Sequence, residues 1–277
     1  MAKTAKFDRT YFKGKNALIT GGAGGIGLAL IEELFKSEVG KIVLADINQD
    51  RLDEEEKRLG ELYGTDRVKA LRCDVTQEDE VQAMIAAAAE FFDGPFDLLF
   101  NNAGATFFDW FEDVTDEMWE QAFKLNFYSA VYGCRAVIPI MIEQGGGQII
   151  NTISGVAFIP MAYWSRYSTT KAALNAVTMV MRSEYWDDNI KISSATPGTT
   201  ATNIFADAGH EMPKDAQSPQ QAACRMLAGV VKNERIIFGD DADVSAAKNI
   251  NNHARSKTYD KYLLRVARER KAGETAL

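Results

Sequence analysis

Short apolar runs, rich in β-branched residues, alternate along the chain with longer stretches whose apolar residues recur every three to four positions. The runs have the length of strands and the stretches the period of amphipathic helices. The pattern predicts strands over residues 15–20, 41–46, 68–73, 97–101, 148–153, 190–195 and 235–238. It predicts helices over 26–37, 50–63, 76–92, 115–143, 165–186 and 219–232, with Pro139 kinking the last turns of the fourth. Strands this apolar, each followed by a helix, belong to a parallel sheet buried on both faces. Right-handed crossovers wind such units into an α/β fold, a doubly wound Rossmann-type parallel sheet of about seven strands. No repeat, low-complexity tract or linker divides it, so residues 1–277 read as one domain. Two segments stand outside the alternation. Residues 199–218 make a long connection suited to covering a substrate. Residues 244–277 make a charged C-terminal extension, expected to be partly helical, packed on the rim and frayed at its end.

Composition narrows the function classes. The chain is 46% hydrophobic and 25% charged over 277 residues, enough to bury a core without a disulfide or metal staple. A net charge of -8 offers no basic stripe, so no nucleic-acid partner is expected. Cys73, Cys134 and Cys224 are far apart, and His210 and His253 have no ligand pair beside them, which predicts reduced thiols and no metal. The first residues are polar and no run approaches the roughly 20 apolar residues of a membrane span. The expected location is cytoplasmic.

The first strand runs into Thr20-Gly21-Gly22-Ala23-Gly24-Gly25-Ile26-Gly27, at the start of a helix. Glycines there allow a tight turn and a close backbone approach to a pyrophosphate, which the helix N-terminus then favours. The segment satisfies G-x-G-x-x-G through Gly22, Gly24 and Gly27, and T-G-x-x-x-G-x-G through Thr20, Gly21, Gly25 and Gly27. Asp46, ending the second strand, sits where a carboxylate accepts hydrogen bonds from an adenosine ribose and repels a 2′-phosphate. No Arg or Lys directly follows it, so NAD is favoured over NADP. A strand-end Asp that only caps the next turn would look the same.

Tyr167 and Lys171 stand four apart on one face of a helix, and Ser154 ends the fifth strand upstream. Moving hydride to or from a nicotinamide requires a proton to move on the substrate oxygen. A phenolate is costly at neutral pH by roughly 4 kcal/mol, and a nearby ammonium lowers that cost. Tyr167 can then act as general acid or base while the Ser154 hydroxyl positions the oxygen.

From about residue 15 to 238 the chain resembles the short-chain dehydrogenase/reductase family. Further motifs carry the likeness. Asn101-Asn102-Ala103-Gly104 matches its N-N-A-G segment, and Cys73-Asp74-Val75 its adenine-side D-V element. Asn126 matches its helix asparagine, and Pro197-Gly198 through Thr200 and Thr202 its P-G-x-x-x-T turn, although Thr200 stands where Val or Ile is commoner. The resemblance implies that Asn126, Ser154, Tyr167 and Lys171 are catalytic, with Asn126 holding a water for proton relay. It implies a cofactor contact surface of Thr20, Gly21, Gly25, Ile26, Gly27, Asp46, Asp74, Val75, Asn102, Ala103, Gly104, Pro197, Gly198, Thr200 and Thr202, together with Tyr167 and Lys171. The expected activity is that of an NAD-dependent alcohol dehydrogenase or ketoreductase. The alternatives are a non-catalytic NAD-sensing module and an epimerase or dehydratase on the same fold.

The expected substrate walls are apolar: Thr106-Phe107-Phe108-Asp109-Trp110, Val156-Ala157-Phe158-Ile159-Pro160-Met161 and Tyr163-Trp164, with Ile204, Phe205 and Met212 as a lid. Only Arg166 and Lys214 fall among these stretches, so no carboxylate or phosphate anchor is evident. Small and apolar residues on the helices 115–143 and 165–186, such as Ala172, Ala173, Ala176, Val177 and Val180, suggest a homodimer or homotetramer.

Overall fold

The apolar runs pair side by side. The computed structural model describes residues 5–249 and 252–273; the ends of the 1–277 domain, including the frayed end expected for the extension, lie outside them. Seven strands, β1 (Ala17–Thr20), β2 (Ile42–Asp46), β3 (Val68–Arg72), β4 (Leu98–Asn101), β5 (Gly147–Thr152), β6 (Ile190–Thr196) and β7 (Ile236–Phe238), form one all-parallel sheet in the order β3-β2-β1-β4-β5-β6-β7. Strand period divides each run between two cores. Ala17 and Ile19 of β1 face one layer and Leu18 the other. Helices α1 (Gly25–Phe35), α2 (Gln49–Tyr63) and α8 (Pro219–Val231) cover the first face, with Leu30, Leu52 and Met226 packed on Ile19 and Leu44. Helix α3 (Glu78–Phe92) and the next long helical stretch cover the second, with Val81, Ile85 and Val137 packed on Leu18, Val43 and Leu99.

Three departures from the periodic reading bear on the site. The helix expected over 115–143 is broken, but not at Pro139, which sits inside a continuous helical segment. It forms α4 (Asp116–Phe123), a π-helical turn Lys124–Tyr128 and α5 (Ser129–Glu143). Counted as one helix, Asp116–Glu143 is long and apolar enough to cross a membrane by length and composition, against the sequence expectation. Its apolar window is 44% buried, because Ala130, Cys134, Val137 and Met141 pack into the fold. Helix α6 (Ser165–Glu184) follows as expected, while the connection after β6 contains a single turn, α7 (Ile204–Asp207). The third departure lies in the depth of the extension: partly helical and on the rim as expected, α9 (Asp241–Asn249) and α10 (Ser256–Lys271) also bury Val266 and Arg270 against the carboxyl edge of the sheet.

Candidate active site

The strand order reverses between β1 and β4, which opens a crevice at the carboxyl ends of the strands. A cleft of about 1740 Å³ occupies it. Single small-molecule sites run to roughly 1,000 Å³, so there is room for a dinucleotide and a substrate together.

At one end lies the glycine turn, and its backbone selects the T-G-x-x-x-G-x-G reading. Gly21 and Gly25, which only that reading requires, have φ of +64° and +53°, while Gly27, whose Cβ would collide with the Gly21 carbonyl oxygen, belongs to both. At Gly24 nothing lies closer than 3.8 Å to the position of a Cβ, so the alternative motif is under no such constraint there. The Thr20 hydroxyl accepts hydrogen bonds from the backbone N–H groups of Asn102 and Ala103, both at 3.0 Å, tying the ends of β1 and β4. Asp46 accepts from Ala23 N–H at 3.3 Å and Asn48 N–H at 3.1 Å, which turns its carboxylate to the cleft wall. The shaped backbone, the start of α1 and the edge carboxylate fit a nicotinamide dinucleotide. Gly21, Gly25 and Ile26 would meet its phosphates, Asp46 its adenosine ribose, and Asp74 and Val75 the adenine side. Asn102, Ala103 and Gly104 continue this wall, and Pro197, Gly198, Thr200 and Thr202 close it at the far side.

At the other end, Ser154 ends the β5 edge and Tyr167 rises from the first turns of α6. Both line the cleft with Lys171. Lys171 is buried, and its Nζ donates to the Thr152 carbonyl at 2.9 Å. Burial pushes the lysine down to about 8. Tyr167 moves the other way: burial raises it above the ordinary phenol value, the Ser154 hydroxyl pulls it back, and the Asp243 carboxylate raises it further. The lowering expected from a lysine neighbour does not show in the protein alone: Ser154 is the side chain that pulls the phenol down, and a buried phenolate loses more solvation than that bond returns. Bound nicotinamide in its oxidised form supplies a positive charge and the hydride acceptor.

Not every expected residue reaches the cleft. Thr20, Gly27 and Asn126 lie behind its wall. The π-turn points Asn126 at the loop after β4, where it accepts from Ala105 N–H at 3.0 Å and donates to Ala105 C=O at 2.8 Å. Such turns recur at functional sites because the extra residue re-aims side chains. Among the apolar segments, Phe107, Phe108, Val156, Ile159, Met161, Trp164, Ile204 and Phe205 line the cleft. Met212 does not: it is 51% exposed, turned away from the lid position expected for it. Trp110 and Tyr163 also stay off the wall, with their rings packed on each other at 5.1 Å, and Phe158 packs on Phe238.

The comparisons decide the family. A model of short chain dehydrogenases matches residues 15–213. The chain belongs to the short-chain dehydrogenase/reductase family. It is 31% identical to 3β-hydroxysteroid dehydrogenase 2 of Eggerthella lenta over 84% of this chain and 86% of that one. It is 33% identical to an uncharacterised oxidoreductase of Staphylococcus aureus over 71% and 83% of the two chains. Among solved structures it is similar to L-sorbose reductase from Gluconobacter frateurii complexed with NADPH and L-sorbose, with a TM-score of 0.76, 30% identity, and 84% and 97% coverage. A short-chain dehydrogenase/reductase from Burkholderia phymatum in complex with NAD shares the fold at a TM-score of 0.79 and 24% identity, covering 91% and 96%.

This short-chain dehydrogenase/reductase also carries cleft residues that sequence reasoning passed over. Arg51 of α2 comes beside Gly24 and lines the adenosine end, five positions after Asp46 and out of reach of a nearest-neighbour reading. Gln217 donates to the carbonyls of Pro197 at 2.8 Å and Gly239 at 3.1 Å, and Asp240 accepts from Thr199 N–H at 3.2 Å, so both hold the turn after β6. The start of α9 adds Asp243, and the extension adds Arg255, Tyr259, Tyr262 and Arg270. Its charged, unremarkable pattern carried no signal of this.

Proposed function

We propose that this oxidoreductase transfers a hydride between NAD(H) and a secondary alcohol or ketone with a bulky, apolar body, with Tyr167 as general acid/base. The observation that carries this reading is that Ser154, Tyr167 and the glycine turn open onto one cleft, with Lys171 buried in its wall. In that arrangement Ser154 orients the substrate oxygen, Tyr167 moves its proton, and Lys171 and Asn126 hold the surroundings. The wall of Phe107, Phe108, Val156, Ile159, Trp164 and Phe205 favours an apolar body, and a relative named for a hydroxysteroid fits the same preference. Residues 199–218 and the extension would cover the substrate. Asp46 favours NAD. Arg51, on the same cleft wall as Asp46, and the NADPH held by the similar L-sorbose reductase favour NADP. Buried, reduced cysteines suit work in the cytoplasm, and the outer faces of α5 and α6 suit a homodimer or homotetramer.

A panel of secondary alcohols of increasing apolar size, followed by NADH absorbance, tests the reading. kcat/KM should rise along the series by up to about 0.8 kcal/mol per methylene, and NAD should beat NADP by more than about tenfold. Tyr167→Phe should lose about 10²–10⁴-fold in kcat with NAD affinity nearly unchanged. A Phe variant retaining more than about a few per cent of kcat would sink the acid/base assignment. Failure to accumulate NADH would favour the non-catalytic module or the epimerase reading.

A further inference from the structure

The extension carries into the cleft a cation that the described residues leave without a counter-ion. Arg270, near the end of α10, is only 7% exposed and lines the cleft. Its Nη1 donates to the Ala162 carbonyl at 2.6 Å, and its guanidinium carbon lies 4.7 Å from the centre of the Trp164 ring. Its Nε has no acceptor, nor does the indole Nε1 of Trp164 against which it is stacked. Among the described residues no carboxylate lies within ion-pair distance of Arg270. Burial pushes its pKa down, and Tyr262 is the neighbour that opposes the shift. Buried charges are ordinarily paired, because the solvation they lose must be returned by a partner of opposite sign.

Three other cleft charges bear on this, apart from Asp207 and Asp215 on the connection after β6. Arg166 is satisfied, donating to Asp109 at 2.7 Å. Asp243 lies over Gly155, next to Ser154, so it repels an anion at the reacting end. Arg255 joins Arg270 on the cleft wall and adds a second cation. The Trp164 ring lies 6.2 Å from that of Tyr167, so one indole spaces Arg270 from the group assigned as acid/base. We propose that Arg270 anchors a carboxylate at the far end of the substrate, making the preferred substrate a keto or hydroxy acid with an apolar spacer between the reacting carbon and the carboxylate. This rests on the secondary alcohol/ketone reading above and names its substrate class.

Methyl ketones that end in a carboxylate, lengthened one methylene at a time, are compared with their methyl esters using the whole chain and NADH. At the best-fitting length the acid should exceed its ester by about tenfold or more in kcat/KM, the scale of one hydrogen bond to a charged group. Arg270→Gln should remove that preference by raising KM for the acids about tenfold or more beyond any change with the esters, and Arg270→Lys should restore part of it. Equal turnover of acid and ester by the unmutated protein, or equal slowing of both by Arg270→Gln, would overturn the proposal and leave Arg270 a structural clamp on α10. Calorimetric Kd values for the acids and esters separate the two readings. Acids that bind in preference to esters without being reduced would keep the anchor and overturn the hydride-transfer reading. Reduction or binding without any acid preference would overturn the anchor alone, and absence of binding by either would overturn it as well.

Discussion

Asp243 sits in the first turn of α9, where its backbone N–H donates to the Asp240 side chain at 2.7 Å. Its carboxylate presses on Gly155 so closely that no Cβ could be accommodated there, and its Oδ2 is buried without a donor. Burial first, then the Asp240 charge, raises its pKa from 3.8 to about 6, with Thr196 opposing. The sign follows from proton linkage. Above about pH 6 both folded and unfolded chains are ionised at this position and the folded state bears the full cost of the buried charge. As pH falls from about 6 toward 4, the folded state protonates first and the cost is withdrawn. Two pKa units correspond to about 3 kcal/mol. Asp243→Asn should therefore raise the Tm by several degrees at pH 7.5, and the gain should fade near pH 4. A variant less stable than the parent at pH 7.5 would show that the carboxylate is paired in solution. Lys171 carries the same kind of burden with opposite charge: burial lowers it to about 8, the kind of perturbation that clusters at functional sites.

Between α4 and α5 the local pattern and the fold disagree. The apolar residues from 116 to 143 keep a helical period throughout, so nothing local marks the turn at Lys124–Tyr128. What singles it out is a partner distant in the chain: the Asn126 amide closes on both polar groups of the Ala105 backbone, 21 residues away. Resemblance to a family pointed to Asn126, and geometry supplies its physical task. Asn126→Leu would leave a buried donor and acceptor unmet, at roughly 1–3 kcal/mol each. It should lower urea-unfolding stability by about 2–4 kcal/mol and reduce kcat more than NAD affinity. Unchanged stability would mean that the loop after β4 does not depend on this amide. The strands, in contrast, were legible to within a residue or two at most ends. A parallel sheet buried on both faces demands continuous apolar runs, and such runs stand out in any chain.

At the scale of the molecule, the π-turn, α5 and α6 leave Tyr128, Ile142 and Val180 exposed, Val180 at 53%. If these faces pair with a second copy, the protein should sediment as a dimer or tetramer and Val180→Glu should shift it toward monomer. A wild-type monomer at micromolar concentration would rule that out. That seven strand-helix units wind into one doubly wound parallel sheet could be read before any coordinates, since right-handed crossovers and short connections leave few ways to stack them. The glycine turn and Asp46 were equally legible, because their demands on backbone conformation and charge are local. Which residues form the wall was not. Thr20, Gly27 and Asn126 fall behind it, Met212 turns to solvent, and Arg51, Asp243 and Arg270 enter from helices whose own patterns look merely charged. The bond from Arg270 to Ala162 spans 108 residues. Contacts of that separation depend on how the elements pack against one another, and no periodicity within a single segment can encode them.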